Sequence, residues 1–211
     1  NYKHFNAGEL SRCSESLNEF LNKGGRLMIT LGGAMSTAEI GKCLAPSIKS
    51  QKVHAICCTG ANLEEELFSL IGRTSFKKID NWRELRAEDD YDLKLKGMNR
   101  ITDVAIPEEL IKILEEPLLS LWEEAEAVGD RRFPHEFIYD LILHGELEFD
   151  IDPNTSWLMA AADANLPIFT PGWEDSTLGN LLAARVLDCT LKGPEIIKSG
   201  LNAMQALADW Y

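Results

Sequence analysis

The chain has 211 residues, of which 45% are hydrophobic, and this is enough to bury one sizeable core. Its 34 acidic residues outnumber 21 lysines and arginines, and the net charge of −13 disfavours binding to the phosphate backbone of nucleic acids. No apolar stretch is long enough to cross a bilayer and no signal peptide precedes Asn1, so we expect a cytoplasmic protein without a membrane or nucleic-acid partner.

The first half of the chain predicts two strands, each followed by a loop and a helix. Apolar residues recur at helical spacing in an opening segment that two glycines end. Short apolar runs then alternate with glycine-containing loops and with periodic segments. In chain order, the predicted elements are a helix (7–22), a strand (26–31), a loop (32–37), a helix (38–48), a second strand (53–58), a loop (59–62) and a helix (63–71). Two successive strand–helix units favour a parallel sheet.

The second half predicts a third unit of the same kind. Residues 73–100 are polar and weakly periodic, so we expect an excursion that carries short helices. Pro107 suits the first position of a helix, and an amphipathic pattern continues from it to residue 128. The remaining predicted elements are two helices (134–147 and 156–165), a strand (167–170), a loop (171–177) and two further helices (178–187 and 195–210).

This order of elements predicts an α/β fold with a doubly wound, Rossmann-like parallel sheet flanked by helices. We expect one domain over residues 1–211, because no linker or internal repeat interrupts the pattern. The last predicted helix runs almost to Tyr211, and no glycines or polar segment follow it in this sequence. We therefore expect the alternation of strands and helices to continue, with a C-terminal part of the fold missing from this sequence.

Three loops leave their strands at the same edge of the predicted sheet, which is where parallel α/β sheets bind ligands. Glycines there let a cofactor approach the backbone, and hydroxyl and amide side chains beside helix N-termini suit phosphate or ribose. The glycines are Gly32, Gly33 and Gly60, and the polar side chains are those of Ser36, Thr37, Thr59 and Asn62. The alternative is that each loop is an ordinary turn with a helix N-cap, since these residue types are common there.

Carboxylates accompany the same loops. Glu64 and Glu65 follow the second strand, and Glu174 and Asp175 follow the third. They could hold ammonium groups or ribose hydroxyls around a pocket. They could equally complement the dipole of a helix in its first turn, and the residues alone leave both interpretations open.

Neither a metal site nor a catalytic nucleophile is indicated. The four histidines show no metal-ligand spacing, and His135 has no assigned role. The five cysteines form an odd set without C-x-x-C spacing, so we interpret them as reduced thiols. Cys57 and Cys58 lie on a predicted strand, whose alternation should bury at least one of them.

The loop sequences belong to longer strings that keep their order along the chain. The strings are LGGAMST (31–37), CTGANLEE (58–65), and PIF (167–169) followed by DSTLG (175–179). They resemble deoxyhypusine synthase. Three more strings, HFNA (4–7), FPHE (133–136) and PGWED (171–175), resemble the bacterial branch of that family, which is called deoxyhypusine-synthase-like. The similarity runs through nearly the whole chain and is therefore more specific than any single motif.

The resemblance implies a deoxyhypusine-synthase-type NAD-binding fold, with NAD as the cofactor at the carboxyl edge of the sheet and a homotetramer whose paired subunits share active sites. The positions that match cofactor contacts are Gly33, Ala34, Ser36 and Thr37 in the first loop, Thr59, Gly60 and Ala61 in the second, and Glu65 and Asp175. The positions that match the amine side of the site are Glu64, Glu65 and Asn180.

The activity implied is NAD-dependent transfer of an aminobutyl group from a polyamine such as spermidine, through an enzyme-bound imine, to an acceptor amine. The family's catalytic lysine is expected beyond Tyr211. Asn180 stands where the eukaryotic enzymes have an aspartate that grips the polyamine's ammonium. Losing that charge would weaken ammonium binding by about 1.5 to 3 kcal/mol, so the donor or its mode of binding is expected to differ. The acceptor is either a protein lysine or a small amine such as putrescine.

Two alternatives remain open within this resemblance. The first is an enzyme of the homospermidine-synthase type, which joins free diamines by the same chemistry. The second is a non-catalytic subunit that binds NAD but does not turn over, because the segment with the lysine is absent.

Overall fold

The computed structural model describes residues 4–211, so the first three residues of the predicted domain lie outside it. The described elements, in chain order, are α1 (Phe5–Asn22), β1 (Met28–Leu31), α2 (Gly41–Lys49), β2 (Ala55–Cys58), α3 (Gly60–Gly72), β3 (Lys77–Lys78), α4 (Ala87–Leu95), β4 (Met98–Ile101), β5 (Val104–Pro107), α5 (Glu109–Val128), α6 (Pro134–His144), α7 (Trp157–Asp163), β6 (Ile168–Phe169), α8 (Thr177–Leu187) and α9 (Gly200–Trp210). Short 3-10 turns connect several of them.

Three of the strands form a parallel sheet in the order β1-β2-β6. Ile56 of the central strand lies opposite Ile29 on one side and Ile168 on the other. These are the three strands that the sequence predicts before glycine-containing loops. Each strand is shorter than the apolar run from which it is predicted. The parallel sheet and its three strand–helix units are thus confirmed.

Helix α3 runs through the middle of the molecule. Eleven of its 13 residues are buried, and it packs against α5, α7 and α8. A helix that is covered on all sides normally carries apolar residues around its whole circumference. This one also buries three consecutive glutamates, which therefore need partners inside the core.

Helices α2, α5 and α6 pack around this centre. On α5, Leu110, Leu114, Leu118 and Trp122 recur every four residues and are all buried. The helix ends where Gly129 adopts a left-handed conformation, with φ of 71°. Helix α2 packs on α7, and α6 packs on both α5 and α7. The result is a mixed α/β fold with a parallel sheet flanked by helices.

The polar segment 73–100 departs from the prediction of short helices alone. It contains α4, but it also contributes two strands to an antiparallel sheet of order β3-β5-β4. A two-residue turn joins the paired residues Ile101 and Val104, and Thr102 in that turn has φ of 55°. Tight hairpin turns need positive φ, and the usual signal for it is Asn-Gly or Asp-Gly rather than Thr-Asp. The hairpin therefore had no strong signature in the sequence.

Three helix starts were also predicted too early, and one of them is that of α2, which begins at Gly41 rather than at residue 38. Pro107 ends strand β5, where it pairs with Met98, and the helix begins at Glu109. The last helix begins at Gly200 rather than at residue 195, because a 3-10 turn (Pro194–Ile196) precedes it. Boundaries of this kind depend on which backbone groups find tertiary partners, and a propensity pattern does not report that.

All five cysteines are free thiols, and Cys58 is buried as the strand alternation predicted. Over the described part of the chain, no helix combines the length and the apolar character that a membrane span requires.

Candidate functional site

Loops from different parts of the sequence meet at the carboxyl edge of the parallel sheet, and Asn62 joins the first two. Its side chain is fully buried in the first turn of α3. The Oδ1 atom accepts hydrogen bonds from the backbone amides of Met35 (2.8 Å) and Ser36 (3.2 Å), and Nδ2 donates to the carbonyl of Gly33 (2.7 Å). These bonds fold the loop after β1 over the start of α3.

Thr59 adds a second connection between the same loops. Its hydroxyl donates to the carbonyl of Gly33 (2.8 Å) and accepts the amide of Asn62 (3.2 Å), so it is the N-cap of α3. Gly33 itself has φ of 64°, a left-handed conformation that glycine adopts without strain, and no atom lies where its Cβ would be. The backbone at Gly33 is therefore open to an approaching ligand.

The third loop contacts the second through Gly60. A Cβ on Gly60 would lie 2.7 Å from the Cβ of Ser176, so only glycine allows this approach. Ser176 caps α8 by accepting the amide of Gly179 (3.0 Å), and the preceding residue, Asp175, is exposed. Gly33, Thr59 and Asp175 consequently lie along one edge, as the sequence predicted.

Two of the three buried glutamates of α3 cap other helices. The Glu64 carboxylate accepts the backbone amides of Thr177 (3.1 Å) and Leu178 (2.9 Å) at the start of α8. The Oε1 atom of Glu66 accepts the hydroxyl of Ser156 (2.8 Å) and the amide of Trp157 (3.0 Å) at the start of α7. Helix N-termini carry free N–H groups and a partial positive charge, so both carboxylates are stabilised there, Glu64 through both oxygens and Glu66 through Oε1 alone.

Glu65, which lies between Glu64 and Glu66 in the sequence, does not cap any of the described helices. Its side chain is 3% exposed, and its Oε2 atom has no hydrogen-bond partner among the described residues. The pKa of Glu65 is raised to about 7, chiefly by burial and also by the charge of Glu64, while the amide of Thr37 lowers it in part. An unpaired buried carboxyl with a pKa near neutrality is typical of a functional group rather than of a structural one.

The hydroxyls predicted in the first loop hold the loop together. Ser36 is buried, donates to the carbonyl of Asn62 (2.7 Å) and accepts the indole N–H of Trp157 (3.1 Å). Thr37 donates to the carbonyl of Ala34 (2.9 Å). Asn180 is exposed on α8, and its amide donates back to the carbonyl of Ser176 (2.8 Å).

A cavity of about 470 Å³ opens beside the first loop. Ala34 and Thr37 line it on one side, and the small antiparallel sheet lines it on the other with residues such as Lys78, Thr102 and Asp103. Its size falls in the usual range for small-molecule sites. The sequence did not predict this second wall, because the hairpin that forms it was not recognised.

His135 is a core residue of α6. It is buried, its ring stacks on Phe133 and meets Tyr139 edge to face, and burial lowers its pKa to about 3. It is therefore neutral at physiological pH. Within residues 4–211, no group of three or more His, Cys, Asp and Glu side chains is arranged to hold a metal ion.

Asn62 and Glu66 are the structural residues that sequence reasoning missed. The sequence indicates Asn62 only as one polar group near a helix start, and it indicates no role for Glu66. The available signal was a polar or acidic residue in a helix whose other positions are mostly apolar, since such residues must find partners inside.

Comparison with known proteins agrees with the strings in these loops. A family model for deoxyhypusine synthase matches residues 1–195. The "Probable deoxyhypusine synthase 1" proteins of Methanosarcina mazei and Archaeoglobus fulgidus are 26% and 27% identical to the chain, over 83% of its length. A "Deoxyhypusine synthase-like protein" of Chlorobaculum parvum is 26% identical over 180 residues. The aligned regions cover 51%, 53% and 48% of these relatives, so the chain spans about half of their length.

The fold has a counterpart among solved structures. The crystal structure of an Entamoeba histolytica protein assigned as a deoxyhypusine synthase superimposes with a TM-score of 0.53, covering 88% of this chain and 55% of that one. At 17% identity this likeness shows the fold alone. The family match over residues 1–195 includes all three loops of the carboxyl edge, and the chain belongs to the deoxyhypusine synthase family.

Proposed function

We propose that the carboxyl edge binds NAD together with a polyamine or diamine, and that the protein acts in NAD-dependent transfer of an aminobutyl group to an acceptor amine. The observation that carries this proposal is Glu65, an unpaired buried carboxyl beside three loops whose sequences are those of the deoxyhypusine synthase family. Family membership supports the class of reaction, which is alkyl transfer.

The residues of the edge fit a dinucleotide. Gly33 and Ala34 leave the backbone of the first loop open beside the 470 Å³ cavity. The first amides of α3, at Gly60 and Ala61, suit a pyrophosphate, because α7 and α8 already have carboxylates at their N-termini. Asp175 is exposed and would accept ribose hydroxyls. When bound, NAD supplies a hydride acceptor for the carbon beside the amine and later returns the hydride.

Glu65 would bind the amine substrate. Its carboxylate attracts an ammonium group, and its raised pKa allows it to hold or release a proton near neutral pH. Glu64 was expected on the substrate as well, but its two oxygens accept amides of α8. We therefore assign Glu64 an indirect part, in which it fixes the start of α8 and the Asp175 loop before it.

The rest of the family's fold would complete the site. We infer that the three parallel strands are part of a doubly wound, Rossmann-like sheet, since the chain aligns with only about half of each curated relative. On this proposal the imine forms on a lysine in the half that does not align, and paired subunits of a homotetramer share their sites.

Asn180 supports a second candidate, an enzyme of the homospermidine-synthase type that joins free diamines. Its neutral amide is bonded to its own helix, so it offers no charge to an ammonium group. A site with fewer charges for a long polyamine would suit a shorter diamine better.

Calorimetric titration of the full-length protein with NAD tests the cofactor site, and incubation with NAD and labelled spermidine or putrescine tests the reaction. We expect NAD to bind, and a product in which the aminobutyl label has moved to an amine, identified by mass spectrometry. A labelled triamine formed from putrescine alone, with release of ammonia, would favour the second candidate. Absence of NAD binding would refute both, and NAD binding without any product would favour the non-catalytic subunit.

A matched pair of variants tests whether transfer depends on the proposed site. Glu65→Gln removes the unpaired charge at almost constant volume and should abolish transfer while leaving NAD binding within about tenfold. Glu123→Gln, on the exposed face of α5, should change neither.

A further inference from the structure

A second cavity, of about 260 Å³, lies beside the 470 Å³ cavity and shares Arg73 with it. Its wall includes Glu66 and Ser69 of α3, Gly41 at the start of α2, and Ile151 of the loop that precedes α7. Neither the proposed NAD contacts nor the proposed role of Glu65 uses these side chains. We call it the α2–α3 cavity.

Two polar atoms on its wall have no hydrogen-bond partner among the described residues, and one of them, the hydroxyl of Ser69, is buried. Oε1 of Glu66 accepts two hydrogen bonds at the start of α7, whereas Oε2 makes none among the described residues. The hydroxyl of Ser69, on a residue that is 5% exposed, also has no partner in the described part of the chain. Buried polar groups are nearly always hydrogen-bonded, so the Ser69 hydroxyl, beside a free carboxylate oxygen of Glu66, indicates that something polar fills the space.

Gly41 keeps this space open. A Cβ at that position would lie 2.7 Å from Oε1 of Glu66 and 2.8 Å from the carbonyl oxygen of Thr155. Any other residue would therefore press on the carboxylate and on the wall beside it.

The charges around the cavity favour a cation. The two basic residues at its mouth, Arg73 and Lys42, both pair with Glu39, and the Arg73 contact measures 3.2 Å. Glu39 reaches them from a left-handed conformation with φ of 60°, which non-glycine residues adopt at a cost and which is common at ligand sites. Two cations therefore share one carboxylate at the mouth. With Glu66 and Asp152, the lining has three carboxylates against these two cations, which is a net charge of −1 when Glu66 is ionised. The pKa of Glu66 is raised to about 7, chiefly by burial, which the hydrogen bonds at the start of α7 and the charge of Arg73 offset only in part.

We propose that the α2–α3 cavity is a second binding site, which takes a small primary amine whose ammonium group donates to Glu66 and Ser69. The volume admits on the order of eight water-sized groups, enough for a short alkyl amine. Ile151 provides an apolar contact for its methylene groups. Glu66 and Ser69 are not among the proposed NAD and amine contacts of the edge, so this proposal does not depend on the proposed transfer activity.

The indole N–H of Trp157 reports on this cavity. It donates to Ser36, which lines the cavity, and the backbone amide of Trp157 bonds to Glu66. NMR titration of the full chain with 1,4-diaminobutane should move the Trp157 indole resonance in a saturable manner. Butane-1,4-diol, which has the same shape and no charge, should not move it. Equal responses to diamine and diol, or no saturable response at millimolar diamine, would overturn the proposal.

Three variants separate this site from the edge. Glu66→Gln keeps one oxygen for the α7 cap and replaces the unpaired one with an amide donor, so diamine binding should weaken about tenfold or more. Ser69→Ala should weaken it by about tenfold at most and leave the fold intact, even if the first variant proves unstable. Glu65→Gln should leave the Trp157 response unchanged. The opposite pattern, loss with Glu65→Gln and retention with Glu66→Gln and Ser69→Ala, would place the amine at the edge and reject a second site.

Discussion

Glu64, Glu65 and Glu66 are consecutive, yet their carboxylates reach three different environments. Successive residues of a helix point about 100° apart, so neighbours on a fully covered helix face different partners. Glu64 reaches the start of α8 and Glu66 the start of α7, where backbone amides donate hydrogen bonds to their carboxylates. Glu65 faces neither helix end and keeps an oxygen unpaired. The same residue type is structural at two positions and a candidate functional group at the third.

Glu65→Gln should stabilise the protein above neutral pH. The folded-state pKa of Glu65 is about 7, well above its ordinary value, so the folded protein holds this proton more tightly than the unfolded chain does. The stabilising contribution is complete below about pH 4.5 and is lost as the pH rises to about 7. Ionising the buried group then costs up to roughly 3 kcal/mol, which the neutral amide avoids. Thermal unfolding at pH 5 and pH 8 measures the change.

The control is Glu123→Gln, which replaces an exposed carboxyl and should leave both melting temperatures nearly unchanged. Glu66 also has a raised pKa and remains in both variants, so part of the pH dependence should persist in Glu65→Gln. A melting temperature that falls by several degrees at pH 8 would show that Glu65 is paired after all.

At the level of elements, α8 depends on a carboxylate from another helix. Glu64→Ala removes the acceptor of two backbone amides inside the protein, while Ser176 still caps a third. We expect a loss of roughly 2 kcal/mol in the free energy of unfolding, measured with urea. Glu123→Ala should cost less than about 0.5 kcal/mol. Equal small losses in the two variants would mean that water replaces Glu64 at no cost.

Gly60→Ala should separate the second loop from the third. The added methyl would lie 2.7 Å from the Cβ of Ser176, which is closer than packed carbon atoms allow. Relieving this overlap should cost about 1 to 3 kcal/mol and weaken NAD binding, both measurable in the same preparation. Gly172→Ala serves as the control, since no atom lies within 4 Å of its Cβ position. Unfolding midpoints and NAD affinities that match between the two variants would contradict the close contact.

The antiparallel sheet is the element that sequence patterns did not reveal. Its strands are short, and the turn that joins Ile101 to Val104 lacks glycine. Strand pairing is a non-local choice that depends on cross-strand and buried contacts more than on local propensity. Here Ala105 and Ile106 of β5 are buried, and they pair with β3 and β4.

On the scale of the whole molecule, one cluster of buried apolar residues extends from Leu31 in β1 to Ile197 near α9. It includes Trp122 of α5 and Trp157 of α7, so tryptophan fluorescence reports on the centre of the cluster. We propose that residues 1–211 behave as one domain and unfold in one cooperative transition. Circular dichroism and tryptophan fluorescence should then give the same urea midpoint. Two separated midpoints would instead indicate independent units.

The sequence by itself determined the three strand–helix units, the parallel sheet, the edge where the loops meet and the family. These follow from local information, because apolar periodicity, glycines and motif strings are legible residue by residue. Its assignment of cofactor and amine contacts at Gly33, Thr59, Asp175 and their neighbours stays a prediction that NAD titration will test.

Only the tertiary structure decided how each polar group is used. Ser36, Thr59, Asn62 and Glu64 are all bonded to backbone from other segments, and Glu65 and Ser69 are not satisfied in this way. A buried polar group has a structural role when its partner comes from a distant part of the chain. It is a candidate for chemistry when it has no such partner. That difference depends on packing between elements, which no local pattern of residues encodes.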